Sequence, residues 1–295
     1  MKKLTYLFIL LLFTNLSFAQ FDKPVFQLGI GLAQPFENLK GSRFTIDTMY
    51  QNIPVTLVDT NLFKSTYGAQ TGFTIFGSAK INFDKYNIIR GKAFLSYTNF
   101  NTFQSSVSGN QVDAFISNGN LTYFAVPINY SYSFNAFSFG FGLEIAPTSF
   151  TNVFSPYFGA NMSFNVFSAT LNRTKNNRDT VGFSSSGFRI GVNFDAGIEA
   201  KFSQNFGMAL GIKYDLGNLL LSSSSNGNLA EVYEWGSTSA SLNDGEGRYI
   251  SKLSNFLSDG YGREYNGTAK KIYWGTIYLA LNFYPNLNTT TPKKK

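Results

Sequence analysis

The stretch GFRIGVNFDAGIEAKF, residues 187–202, constrains the fold more than any other part of the chain. Phe188, Ile190, Val192, Phe194, Ala196, Ile198, Ala200 and Phe202 hold one parity. Gly187, Arg189, Gly191, Asn193, Asp195, Gly197, Glu199 and Lys201 hold the other, so sixteen residues alternate without an error. A helix, at about 3.6 residues per turn, would mix the two sets, whereas a strand keeps them on opposite faces. After Ser203-Gln204-Asn205 the pattern resumes, with Phe206, Met208, Leu210, Ile212, Tyr214 and Leu216 against Gly207, Ala209, Gly211, Lys213, Asp215 and Gly217. Two long strands joined by a tight turn are expected.

Seven further segments repeat this pattern: residues 25–34, 69–83, 88–98, 121–134, 137–147, 156–168 and 271–284. Most of the nine segments run to 11–16 residues. Strands of globular proteins run to about 5–6 residues, and a strand that crosses a bilayer needs about 9–11. One face of each segment is small, polar and rich in glycine, and it carries nearly all the strand charges. The other is aromatic and aliphatic. The chain holds 32 Phe and 17 Tyr but only 14% charged residues, against about 25% in soluble proteins. A soluble sandwich would bury its large apolar residues in a shared core. Here lipid is expected on the aromatic side and a polar lumen on the other.

Residues 1–20 read as a cleavable secretory signal. Lys2 and Lys3 precede the short apolar run Leu7 to Phe13, and Ser17-Phe18-Ala19 sets small residues before a cut between Ala19 and Gln20. The domain reading is a signal peptide over 1–19, a barrel over 20–284 and a basic tail over 285–295. The two ends supply most of the net charge of +7: it falls to +5 without Lys2 and Lys3 (7 − 2), and to +2 without Lys293, Lys294 and Lys295 (5 − 3). No basic stripe of the nucleic-acid-binding kind remains.

Connections of alternating length set the topology. Short ones are expected at 84–87, 135–136 and 203–205, and long ones at 36–68, about 99–120, 171–186 and 222–270. Short periplasmic turns and long outer loops characterise outer-membrane barrels, whose strand number is even. Nine segments is odd, so residues 103–117 are taken as a tenth strand, which puts 135–136 outside and 148–155 inside. The fold expected is an all-β, antiparallel, up-and-down transmembrane barrel of ten strands, with eight as the alternative.

The signal peptide, Tyr123 to Tyr132 with Pro127 within it, Ser155-Pro156-Tyr157-Phe158-Gly159, the hairpin 187–221 and the aromatic-ended strand 271–284 together resemble the small outer-membrane β-barrel proteins of Gram-negative bacteria. The nearest group is the broad outer-membrane-protein β-barrel-domain family that includes PorT-like barrels. The resemblance implies a cell-outer-membrane location, contact with outer-membrane lipid and insertion by the barrel-assembly machinery. Such barrels often end on an aromatic strand residue; here Phe283-Tyr284 is followed by Pro285 to Lys295.

With no Cys and no His, the chain has no disulfide, thiolate nucleophile or imidazole base. The phospholipase, acyltransferase, deacylase and protease barrels that are the comparison for such a chain rely on a catalytic His. Glu231 with Glu234 and Asp244 with Glu246 read as solvated loop carboxylates, Ser222 to Ser225 as a polar tract, and Gly245-Glu246-Gly247 lacks the context of a phosphate loop. No enzyme activity, cofactor, metal site or nucleic-acid partner is expected. The stronger signal is a lumen charge network of Lys80, Arg90, Lys92, Glu144, Arg189, Asp195, Glu199, Lys201, Lys213 and Asp215. In a narrow lumen these must pair or be hydrated, and Arg189 and Lys213 are expected to pair with Glu199, Asp195 or Asp215 across the hairpin. A second expectation is a contact surface for an extracellular or envelope protein in loop 222–270, through Tyr233, Trp235, Tyr249 and Tyr261. The function expected is a non-enzymatic structural or interaction barrel of the envelope, with accessory work in a secretion or envelope machine as one form of it. A narrow ion or small-solute channel and a soluble periplasmic barrel binding an apolar ligand are the alternatives.

Overall fold

The computed structural model describes residues 24–41, 45–50, 52–58, 66–83, 88–102, 107–147, 153–175, 179–222, 242, 248–249, 263–264 and 270–285. The signal peptide with its Ala19–Gln20 site, loop residues Tyr233, Trp235 and Tyr261, and the tail beyond Pro285 lie outside them. The strands are β1 (Val25–Phe36), β2 (Thr45–Tyr50), β3 (Ile53–Val58), β4 (Ala69–Asn82), β5 (Ile89–Thr102), β6 (Val107–Ser117), β7 (Asn120–Ile145), β8 (Phe154–Lys175), β9 (Asp179–Lys201), β10 (Phe206–Leu220), β11 (Arg248–Tyr249), β12 (Arg263–Glu264) and β13 (Tyr273–Phe283).

Eight of them form a ring in the order β1, β4, β5, β7, β8, β9, β10, β13. Every neighbour is antiparallel, and β13 returns to β1 through Phe26↔Phe283 to Phe36↔Tyr273. The all-β antiparallel barrel is therefore closed at eight strands, the smaller of the two expected numbers. Both ends of the ring, Val25 and Phe283, leave it on the same side, together with the turns after β4, β7 and β9.

The count of ten fails at two places. Residues 135–136 are not a turn, because β7 runs unbroken from Asn120 to Ile145 and pairs with β8 over Ile128–Ile145. The apolar parity changes at Asn135 because the barrel interior changes character there, not because the chain reverses. Below that point Ser138 and Glu144 face inward, and above it Tyr132 and Phe134 do, all of them buried. Even-numbered Ile128, Tyr132 and Phe134, read as lipid-facing from the sequence, thus point into the barrel. The second place is 103–117. Its strand exists as β6, but it pairs only with the outer part of β7, from Val107↔Tyr130 to Ser117↔Asn120, and stays outside the ring.

The long outer connection expected over 171–186 is also largely strand: β8 and β9 stay paired out to Lys175↔Asp179. The strands β6, β7, β8 and β9 therefore continue past the ring as a one-sided wall. The hairpin β2–β3, paired from Thr45↔Val58 to Tyr50↔Ile53, packs on that wall, with the Tyr50 and Tyr123 rings edge to face at 5.7 Å. The β6–β7 turn is Asn118-Gly119, with φ of 49° and 79°. Both residues of a two-residue hairpin turn need this left-handed backbone, and Asn-Gly supplies it at the least steric cost.

The outward face of the ring is a continuous apolar surface. Leu28, Ile30 and Leu32 of β1, Leu210 and Ile212 of β10, and Ile277 of β13 are each 60–66% exposed. Phe26, Phe83, Phe154, Phe202, Phe206 and Phe283 collect at the end bearing the chain termini, and Phe36, Tyr97, Phe137 and Tyr214 toward the other end. An apolar band between two aromatic girdles is how a barrel meets lipid and the two interfaces of a bilayer. Such a surface left in water would far exceed the patches that soluble monomers tolerate.

Candidate functional site

The barrel interior holds the charged side chains predicted from parity. Glycines leave room for them. In a ring of eight strands the inward side chains fill the lumen, so a large one needs a small neighbour. A Cβ on Gly211 would lie 2.6 Å from the Tyr278 hydroxyl, and one on Gly159 would lie 2.7 Å from Asp195 Oδ1.

The half of the lumen nearer the termini is occupied by an ion-pair cluster. Lys80 and Lys92 stand directly opposite each other on β4 and β5, a like-charge pairing that is destabilising by itself. Three carboxylates offset it. Lys80 Nζ lies 3.0 Å from Glu144 Oε2 and 2.9 Å from Glu199 Oε1. Arg90 donates from both terminal nitrogens to Glu199, at 3.0 Å each, and also pairs with Glu144. Lys92 Nζ lies 2.6 Å from Asp195 Oδ2 and 3.6 Å from Glu144 Oε2. Three cations and three carboxylates therefore balance, and all six are buried. Asn161 donates to Asp195 Oδ1 at 2.8 Å, and the Tyr157 and Tyr278 hydroxyls are 2.6 Å apart just above.

Of the remaining four predicted residues, Lys213, Asp215 and Lys201 flank this cluster and Arg189 lies in the outer half. Lys213 sits directly opposite Asp195 in the register, but its ammonium reaches Asp215 on its own strand at 3.2 Å. Asp195 is held instead by Lys92 from across the lumen. The expected Lys213–Asp195 pair fails because, in a lumen this narrow, a side chain from the far wall reaches as easily as one from the next strand. Arg189 donates to the Leu242 carbonyl at 2.8 Å and the Phe188 carbonyl at 2.7 Å. Lys201 lies over the Tyr284 ring at 4.9 Å, beside the Asn282–Gln27–Ser78 hydrogen-bond chain. Of the four loop residues, only Tyr249 falls among the described residues, paired with Arg263 in the short β11–β12 ladder.

The outer half of the lumen is mainly aromatic, which a single rule of polar inside and apolar outside misses. Lys270 is buried there with its Nζ 5.5 Å from the centre of the Tyr67 ring. Phe100, Phe134, Phe167 and Trp274 meet there with ring centroids 5.9–6.2 Å apart. Tyr67 stacks on Phe134 at 5.3 Å and accepts at its carbonyl from the Tyr132 hydroxyl at 2.6 Å. Leu39 and Leu242 complete the cluster. Leu242, from the long outer loop, is pinned by Arg189 and by the Tyr67 hydroxyl at 3.5 Å. Between the two halves lies a cavity of about 20 Å³ lined by Phe76, Lys92, Phe94, Asn193, Asp195, Lys213, Thr276 and Tyr278, room for about one water molecule.

No family model matches the chain, and a search of curated proteins returns no relative. Among solved structures, the chain is similar to Neisserial surface protein A at 12% identity and a TM-score of 0.40, over 88% of this chain and 96% of that one. It is similar to the outer membrane protein OprG from Pseudomonas aeruginosa at 7% identity and a TM-score of 0.43, over 90% and 96%. A third is Ail, the attachment invasion locus protein of Yersinia pestis, at 9% identity and a TM-score of 0.36, over 90% and 99%. At these scores the likenesses carry no role across to this chain.

Proposed function

We propose that this chain is an integral barrel of the cell outer membrane that does not conduct, has no catalytic activity, and works as a structural or interaction protein of the envelope. The observation that carries the reading is the double seal of the lumen. Lys80, Arg90, Lys92, Glu144, Asp195 and Glu199 fill one half as a neutral cluster, and the aromatic cluster around Trp274 fills the other. A channel needs binding weak enough for release along a hydrated path. A cluster whose charges neutralise one another offers a passing ion neither. A soluble ligand binder of this fold would need a hollow apolar interior and a polar exterior, the reverse of what these side chains do.

Interaction is assigned to the wall that continues past the ring. Phe115, Ile116, Leu121 and Phe124 at the β6–β7 tip are 41–75% exposed. Exposed apolar groups of this kind on a rigid hairpin suit contact with another envelope protein. The loop 222–270 would add to this surface, as an accessory of a PorT-like secretion or envelope assembly would require. The test is conductance of the purified protein in a planar bilayer. Sealed barrels give no unitary steps at voltages where a porin control opens, and reproducible steps of one size would overturn the sealed reading.

A further inference from the structure

The outward face is not uniformly smooth. Across β8, β9, β10, β13 and β1 a furrow of about 630 Å³ runs between Phe158, Phe194, Ile212, Tyr214, Ile277 and Leu32. It exists because Ala196 takes an outward position that neighbouring strands fill with rings and branched chains, while the Phe36 ring lies over Gly275 and bounds the outer end. With neighbouring strands about 4.8 Å apart, four inter-strand steps give the furrow an arc of about 19 Å along the curved barrel wall, enough for an acyl chain that follows the curve. Its outer end is polar: Thr71 Oγ1 donates to Gln34 Oε1 at 2.6 Å, and both residues line it.

Above that end the surface turns basic. Phe36 packs on Tyr214 at 5.9 Å, Tyr214 on Tyr273 at 6.5 Å, and Lys271 Nζ lies 5.8 Å from the centre of the Tyr273 ring. Lys271 is exposed, and its backbone N–H donates to Asn38 Oδ1 at 3.0 Å in the one-turn 3-10 segment Glu37–Leu39. Lys40, also exposed, ends that segment. Glu37 is the opposing charge, acting on Tyr214 from the same turn. A cation above an aromatic ring at the interface is placed to meet a phosphate while its stem stays on apolar surface.

We infer that this furrow is a binding site for one membrane lipid, with an acyl chain lying over Ala196 and against the Phe36 ring and a phosphate headgroup held by Lys271 and Lys40. The inference rests on the reading that the apolar belt lies in lipid. The occupant is a phosphate-bearing lipid of the leaflet that this end faces, rather than a protein segment, because the furrow opens on the lipid-facing side and its charge complement sits at the interface. Phosphatidylglycerol serves as the anionic probe of that chemistry. Among the described residues, two exposed lysines against one carboxylate favour a headgroup of net negative charge over a zwitterionic one.

The test is native mass spectrometry of the full chain, refolded in detergent, delipidated and titrated with phosphatidylglycerol or phosphatidylcholine. Folding is scored separately by heat-modifiable gel mobility. The expected result is one phosphatidylglycerol per barrel, bound more tightly than phosphatidylcholine. Ala196→Phe fills the furrow and should abolish that occupancy, while Leu210→Phe, elsewhere on the belt, should leave it. At about 1 kcal/mol for each lysine near an anionic surface, about fivefold in affinity, Lys271→Gln with Lys40→Gln should weaken phosphatidylglycerol about 25-fold and phosphatidylcholine less. Folded Ala196→Phe that retains the lipid, or lysine variants that bind as the parent does, would overturn the site. Failure of the chain to enter detergent micelles or bilayers as a folded barrel would instead overturn the membrane reading beneath it.

Discussion

Arg90 is the residue at which a stabilising role of the interior charges is most directly tested. Its guanidinium is fully buried and spans two carboxylates, one of them Glu199 in a fork at 3.0 Å on each arm. Such a pair is of little net benefit against a well-packed apolar replacement, yet removing one partner leaves a lone buried charge at about 3–5 kcal/mol. Glu199→Gln should therefore lower the unfolding free energy of the refolded barrel by about 3–5 kcal/mol, read as a lower urea midpoint at an unchanged slope, with secondary structure unchanged below the midpoint. The same logic picks the pair for a double-mutant cycle. Lys92 and Asp195, 2.6 Å apart across the lumen, should couple by about 0.5–3 kcal/mol. Lys92→Met with Asp195→Asn should lose less stability than the two single changes summed. A sum that is simply additive would show that the contact is not made in the folded protein. The sequence singled out both residues as inward-facing but not as partners, because parity assigns a side and says nothing of which wall a long side chain reaches.

At the scale of the strand, alternation is the physical signal, and its reach is visible in β9, β10 and β13, where every outward position anticipated from the pattern faces out. In β7 the same signal misleads. Apolar residues occupy even positions up to Phe134 and odd positions from Phe137, which looks like a reversal of the chain. A tight reversal favours the turn chemistry of a residue pair such as Asn-Gly, and Asn135-Ala136 lacks the glycine. Asn118-Gly119, seventeen residues earlier in the chain (135 − 118), has the strongest such chemistry of the region and is where the hairpin turns. Weighing turn residues against parity would have placed β6 and β7 correctly and removed the false strand. The lipid-facing assignment can be checked on β10. Leu210 is 61% exposed, while Ala209 beside it points inward and is buried. Leu210→Arg should cost about 2–4 kcal/mol if it lies near the bilayer midplane, read as a drop in folded yield on insertion into liposomes. Equal yields for Leu210→Arg and Leu210→Ala would show that no lipid meets this face.

For the whole molecule, the interior is layered along the barrel axis: a neutral ion-pair cluster near the termini, a cavity for about one water molecule above it, and an aromatic seal under the outer wall. The layering was only half legible in sequence. The charged layer announces itself because charges on a strand in lipid have nowhere else to go. The aromatic layer does not, since Phe134 pointing inward and Phe137 pointing outward are the same residue type, and only the register with β5 and β8 separates them. Closure at eight follows from β7 pairing with β5 below Phe134 and with β6 above Tyr130, a sharing of one long strand that no local pattern encodes.

In the proposed arrangement the ring of strands spans the outer membrane, with the β6–β7 tip outside and both ends of the ring inside. The chain has no cysteine, so single substitutions report without background. Ile116→Cys at the tip, Asn205→Cys in the turn after β9, Ile212→Cys on the belt and Asn193→Cys in the lumen can each be treated with a membrane-impermeant maleimide on intact cells. Ile116→Cys alone should react on intact cells. Asn205→Cys should react once the outer membrane is permeabilised, and Ile212→Cys and Asn193→Cys only after the barrel is denatured. Labelling of Ile212→Cys in the folded protein, or of Asn205→Cys on intact cells, would contradict the membrane-spanning arrangement.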